Sequence, residues 1–140
     1  MRQGSSGVGV EAAGESACRG VRGAVTVAPD ADRTSVRSAV ADLLEAMTAP
    51  NGVAPDDVAA LIFTLQDDLG PVNPAAAARS LGYSEVPLLM VREHGGDTRV
   101  RRCLRALMLV NSKLTQGQIR HAYLGQAASL RPDLTTGEQL

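Results

Sequence analysis

The chain has 140 residues, a formal net charge of −1, 44% hydrophobic and 21% charged residues. That balance fits one globular domain with a single core, and it excludes the strong positive field of a nucleic-acid-binding surface. Its three aromatic residues, Phe63, Tyr83 and Tyr123, provide no stacking platform for single-stranded nucleic acid.

Residues 1–16 are rich in Gly, Ser, Ala and Glu and contain no apolar h-region of a secretion signal. They are expected to be a disordered extension, with residues 17–134 forming the domain and 135–140 a flexible tail. The segment 18–27, CRGVRGAVTV, alternates as a strand, with Cys18, Gly20 and Arg22 on one face and Arg19, Val21 and Gly23 on the other. Asp32 or Thr34 then caps an amphipathic helix to about residue 49, its stripe being Val36, Val40, Leu43, Leu44 and Met47. The apolar run 58–66 reads as a buried strand, and Pro74 opens a short helix through 81. A third strand spans 86–93, a Gly-rich loop turns it back, and the fourth strand starts at Cys103. TQGQIRHA reads as a helical turn and 123–130 as a fifth strand.

The predicted fold class is therefore α/β (α+β), a five-stranded mixed sheet with one long helix and short helical turns. One helix of about four turns covers one face of such a sheet. The other face keeps apolar residues from the second and fourth strands, more than a monomer usually exposes. An oligomer with sheets packed together is expected.

The stretch RVRRCLRALMLVN sets a physical problem. Arg99, Arg101 and Arg102 read as the solvated approach to the strand, whereas Arg105 sits among Leu104, Ala106, Leu107 and Met108. An unpaired guanidinium in a sheet core costs several kcal/mol, on the order of the burial penalty of one ion. Arg105 must meet a carboxylate, face a cleft or bind an anion. Glu93, at the end of the strand joined to this one by a short glycine loop, is the candidate acid. Arg22, between Gly20 and Gly23, and Arg79 and Arg131, at element ends, are further cations. Several arginines and one glutamate suit a small polycarboxylate with a hydroxyl, since the guanidinium fork matches carboxylates.

Other chemistry finds no support. Cys18 and Cys103 lie in apolar runs and read as buried free thiols of a reducing, cytoplasmic compartment. With His94 and His121 they build no zinc pattern. GVGVEAAG has no preceding strand and no Lys-Ser/Thr, so it is no phosphate loop. No serine sits in a nucleophile elbow, and His121 reads as structural. No apolar run approaches the ~20 residues of a membrane span. Neither a cofactor nor a metal is implied.

The segments RGVRGAVTV, IFT, DL, NPAAAARSLG, VPLL, CLRALMLVN and QIRHAYLGQAASLRPDL resemble the small trimeric α/β class of chorismate mutases. The resemblance runs from Ala17 to Leu134. It implies a homotrimer with a pseudo-α/β-barrel of sheets inside, helices outside and active sites in the clefts between subunits. It implies a cofactor-free [3,3]-sigmatropic rearrangement of chorismate to prephenate, with no metal. By the same resemblance, Arg105 faces the ether oxygen and Glu93 accepts from the ring hydroxyl. Arg22 and Tyr123 donate to the side-chain carboxylate. Arg79 lies near the mouth, Arg131 in a tail that helps close the site, Leu130 is an apolar tail contact, Cys103 a wall residue and Ala75 a further substrate contact. Met90 stands where the family usually has a cysteine, Asn73 where an aromatic covers the pocket, and Arg92 where a neutral residue flanks the glutamate. These changes raise two alternatives: an enzyme of this fold acting on a related cyclic carboxylate in secondary metabolism, or a non-catalytic trimeric ligand-binding protein.

Overall fold

The computed structural model describes residues 15–94 and 100–130. The expected features of 1–14, 95–99 and 131–140, Arg99 and Arg131 included, lie outside the described residues, as do the side chains of Ser129 and Leu130.

Strand β1 (Ala17–Thr26) leads through a turn to helix α1 (Arg33–Thr48). Asp32 is the N-cap: its Oδ1 accepts from the Ser35 N–H at 2.9 Å, a bond that lowers the Asp32 pKa. The buried stripe of α1 includes Val36, Val40, Leu43, Leu44 and Met47, the residues at helical spacing in the sequence. Strand β2 (Val58–Leu65), helix α2 (Pro74–Ser80), strand β3 (Leu88–Arg92), strand β4 (Cys103–Ser112) and strand β5 (Ala122–Tyr123) follow, joined by short 3₁₀ turns.

The sheet order is β3-β2-β4-β1-β5. β4 pairs antiparallel with β1, from Ala17↔Ser112 to Thr26↔Cys103, and antiparallel with β2 on its other side. β2–β3 and β1–β5 are parallel. This is the mixed five-stranded α+β sheet expected, with two corrections to its parts. The predicted fifth strand, 123–130, is strand only at Ala122–Tyr123 and then a 3₁₀ stretch, Gly125–Leu130. Gly125 has φ +61°, which extended backbone does not allow, and a Cβ there would meet Thr26 Oγ1 at 2.9 Å. Cys18 is exposed, not buried, because it sits at the outer end of β1 on the face that α1 leaves uncovered.

The two faces differ by strand parity. Val21, Val25, Leu61, Phe63, Leu104, Ala106, Met108 and Val110 form the core under α1. Gly23 lies beneath the helix, where an added Cβ would meet Leu43 Cδ1 at 3.0 Å and also collide with Met47. Gly23→Val is expected to destabilise the fold by about 1–3 kcal/mol through overpacking, read as a lower denaturant midpoint. An unchanged midpoint would contradict this seating of α1.

The opposite face carries Arg22, Ala24, Cys103, Arg105, Leu107, Ile62, Thr64, Leu89 and Val91. A second small cluster of Ala24, Val100, Cys103 and Ala127, with Tyr123 against it, covers one end of that face. Elsewhere within the described chain it stays open: Leu89 is 56% exposed and Leu107 39%. Among the described residues no helix is long and apolar enough to cross a membrane.

Candidate active site

Arg105 lies on the open face because β4 pairs it with Ala24 of β1 and Thr64 of β2, residues of the same parity. Glu93 follows β3 and extends its ladder, its N–H donating to Leu65 O at 2.9 Å. The two side chains meet at 3.4 Å, Arg105 Nε to Glu93 Oε2, with the carboxylate side chain 14% exposed and the arginine side chain 37%. Arg105 Nε is shut off from solvent, and no residue among those described gives it an aligned hydrogen bond. The charge expected to need a partner therefore has Glu93 beside it while retaining donor capacity.

Thr64, which the sequence reading passed over, fixes this pair. Its hydroxyl donates to Glu93 Oε1 at 2.9 Å, leaving Oε2 toward Arg105. The available signal was a lone hydroxyl in the apolar run of β2. Thr64→Val keeps the shape and deletes the bond; kcat/KM is expected to fall by about tenfold, the scale of one hydrogen bond to a charged group. Wild-type kinetics in that variant would remove Thr64 from the site.

Cys103 is fully buried at the foot of β4. Burial pushes its thiol pKa up to about 11, Arg105 opposing and Glu93 adding to the rise. The thiol stays neutral near pH 8, so Cys103 is expected to remain unmodified by a thiol reagent there, as peptide mapping of the labelled native protein can check. Rapid labelling of Cys103 would contradict its burial. The start of β4 is set by side chains of the preceding loop. Gln66 Oε1 accepts from Cys103 N at 3.0 Å, and Asp68 Oδ2 accepts from Arg102 N at 2.9 Å while pairing with Arg101 Nε at 3.4 Å. Arg102 is not a plain solvated charge: its φ is +50° and its Nε is buried. Arg92, the charged residue beside Glu93, has an acid partner of its own. Arg92 is one residue out of phase and pairs with Asp67 at 3.2 Å in solvent.

Arg22 and Tyr123 complete the open-face group. Arg22 is exposed opposite Leu107, and Tyr123 pairs in register with Ala24 and packs over the Cys103 cluster. The other expected contacts lie elsewhere in the chain. Met90 pairs with Phe63 and so belongs to the helix side of the edge strand. Ala75 is buried in α2 and Arg79 is exposed in its last turn. Asn73 caps α2, its Oδ1 accepting from Ala76 N at 2.9 Å. One chain thus gathers Arg22, Glu93, Cys103, Arg105 and Tyr123, and leaves Asn73, Ala75, Arg79 and Met90 around α2 and β3.

The family model for chorismate mutase type I matches residues 18–134. The chain belongs to this family. A chorismate mutase AroH of Thermus thermophilus is 40% identical over 121 residues, covering 86% of this chain and 98% of that protein. The chorismate mutase AroH of Bacillus subtilis (strain 168) is 36% identical over 118 residues, covering 84% and 92%. In fold, the chain is similar to a chorismate mutase from Clostridium thermocellum, with a TM-score of 0.73 and 33% identity over 79% of this chain and 97% of that one. The chain is an isomerase of the chorismate-to-prephenate type, an activity of aromatic amino acid biosynthesis.

Proposed function

We propose that Arg105, Glu93, Arg22 and Tyr123 are the working groups of this chorismate mutase, in a site completed by a second subunit of a homotrimer. The observation that carries the reading is the Arg105–Glu93 pair on the uncovered sheet face, with Arg105 Nε lacking an aligned partner. The reaction is intramolecular: one C–O bond breaks, one C–C bond forms and the electrons redistribute within the substrate. The protein has to select the compact diaxial conformer and stabilise the charge that develops.

As the C–O bond lengthens ahead of C–C formation, negative charge gathers on the ether oxygen. The Arg105 guanidinium meets that charge more strongly than it meets the ground-state ether, which is the condition for acceleration. Even the low end of enzymatic acceleration needs about 8 kcal/mol, and one preorganised donor supplies about 3–4 kcal/mol. Holding both carboxylates and the hydroxyl supplies the rest by restricting the substrate to its reactive shape. Arg22 and Tyr123 donate to the side-chain carboxylate, and Glu93, oriented by Thr64, accepts from the ring hydroxyl. Cys103 forms the apolar wall behind them.

The homotrimer reading is supported by the exposed Leu89 and Leu107 on the face that carries these groups, an apolar surface of the kind that marks an interface. It also accounts for the separation of Arg79, Ala75, Asn73 and Met90 from Arg105: these reach the substrate from the neighbouring copy. A cytoplasmic setting, in which free thiols stay reduced, belongs to the same reading.

The test is conversion of chorismate by the purified chain, followed as prephenate formation by NMR. Turnover far above the solvent reaction is expected with no added metal or cofactor. Absence of turnover at saturating chorismate would overturn this reading, and tight binding of another cyclic acid would redirect it to a retuned or non-catalytic member.

A further inference from the structure

The edge of β1 that faces β5 is paired by backbone over only two residues, Gly23↔Ala122 and Ala24↔Tyr123. Ahead of them, side chains take the place of a strand. Gln116 accepts from Gly20 N at 2.8 Å and donates to Gly20 O at 2.7 Å, as a backbone peptide would. Two residues on, His121 Nδ1 accepts from Arg22 N at 2.9 Å. The imidazole is itself set in place one residue upstream. Asn51, buried behind it, donates to Arg120 O at 2.9 Å and to Met47 O at 2.8 Å, and accepts from Arg120 N at 2.8 Å. Both backbone groups of Arg120 are therefore fixed by one side chain anchored to α1.

This arrangement bears on Arg22, whose strand is paired by β4 along one edge and meets the side chain of His121 along the other. The main-chain position of Arg22 decides where its guanidinium can reach on the open face. We propose that His121 is a positioning residue for the rearrangement: its neutral imidazole, accepting at Nδ1, fixes the Arg22 backbone so that the guanidinium meets the substrate carboxylate. The proposal rests on the reading of Arg22 as a carboxylate donor. His121 makes its contribution through Arg22 and takes no proton from the substrate.

The two ring nitrogens allow a specific test. An asparagine places its amide oxygen where Nδ1 lies, whereas a glutamine places its oxygen near Nε2. His121→Leu is expected to raise KM for chorismate about threefold to tenfold, the effect of one lost neutral hydrogen bond, with kcat within about twofold. His121→Asn restores KM and His121→Gln does not. Combined with Arg22→Ala, His121→Leu raises KM by less than it does in the wild-type background, because the Nδ1 contact acts on the main chain that carries that side chain. Unchanged KM in His121→Leu, rescue by Gln in place of Asn, or an additive double variant would each overturn the proposal. A wild-type KM in Arg22→Ala would instead overturn the reading of Arg22, and the positioning role with it. Thermal unfolding of each variant separates these outcomes from misfolding, since a purely structural loss lowers stability in His121→Asn and His121→Leu without the selective KM rescue.

Discussion

Replacing Arg105 by alanine is expected to lower kcat by a factor of about 10²–10³, the loss seen when one preorganised donor to a developing oxyanion is removed. The chain should remain folded, because Glu93 keeps its hydrogen bond from Thr64 and its ladder bond to Leu65. Lysine at this position restores a positive charge but not the planar fork that the proposed role requires to meet Glu93 and the ether oxygen together. Arg105→Lys is therefore expected to recover only part of the lost rate. Circular dichroism and steady-state kinetics on both variants check the prediction. An alanine variant with most of its kcat intact would remove Arg105 from the chemistry.

Converting Leu89 to aspartate should have an effect of similar size for a different reason. Leu89 is the most exposed of the large apolar residues described, at 56%, and shares the open face with Leu107. In a trimer with sheets packed together this residue is shut away from water, and an unpaired carboxylate there costs several kcal/mol, on the order of the penalty for one buried ion. Leu89→Asp is expected to sediment as a monomer and to lose turnover with its assembly, since each site lacks the contribution of the neighbouring copy. A monomeric variant with wild-type kcat would show that one chain carries the whole site.

The sequence makes the parts with strong periodicity readable. The stripe Val36, Val40, Leu43, Leu44 and Met47 defines α1, and the uncovered sheet face follows from having one long helix for five strands. Arg105 is conspicuous because a charge inside an apolar strand has few cheap solutions, and Glu93 is the acid the strand order brings to it. What escapes the sequence is held by side chain-to-backbone bonds between distant residues. Gln116 with Gly20, His121 with Arg22 and Gln66 with Cys103 leave no periodic trace. The same applies to Thr64, whose hydroxyl acquires meaning only once β3 brings Glu93 alongside. The extended reading of 123–130 fails at Gly125, where a positive φ outweighs the apolar composition. The cap in which Asn73 Oδ1 accepts from Ala76 N at the start of α2 is another side chain-to-backbone bond, this one local. Arg92 turns out to be neutralised by Asp67, away from Glu93.

The proposed mechanism requires Arg105 to act on the transition state more than on the bound ground state. That difference is measured by setting the fall in kcat of Arg105→Ala beside the change in its affinity for prephenate, obtained by titration calorimetry. The prediction is a kcat reduced by about 10² or more with prephenate affinity changed by less than about tenfold, the signature of differential transition-state binding. Affinity falling by the larger factor while kcat holds would make Arg105 a binding residue only and contradict the mechanism.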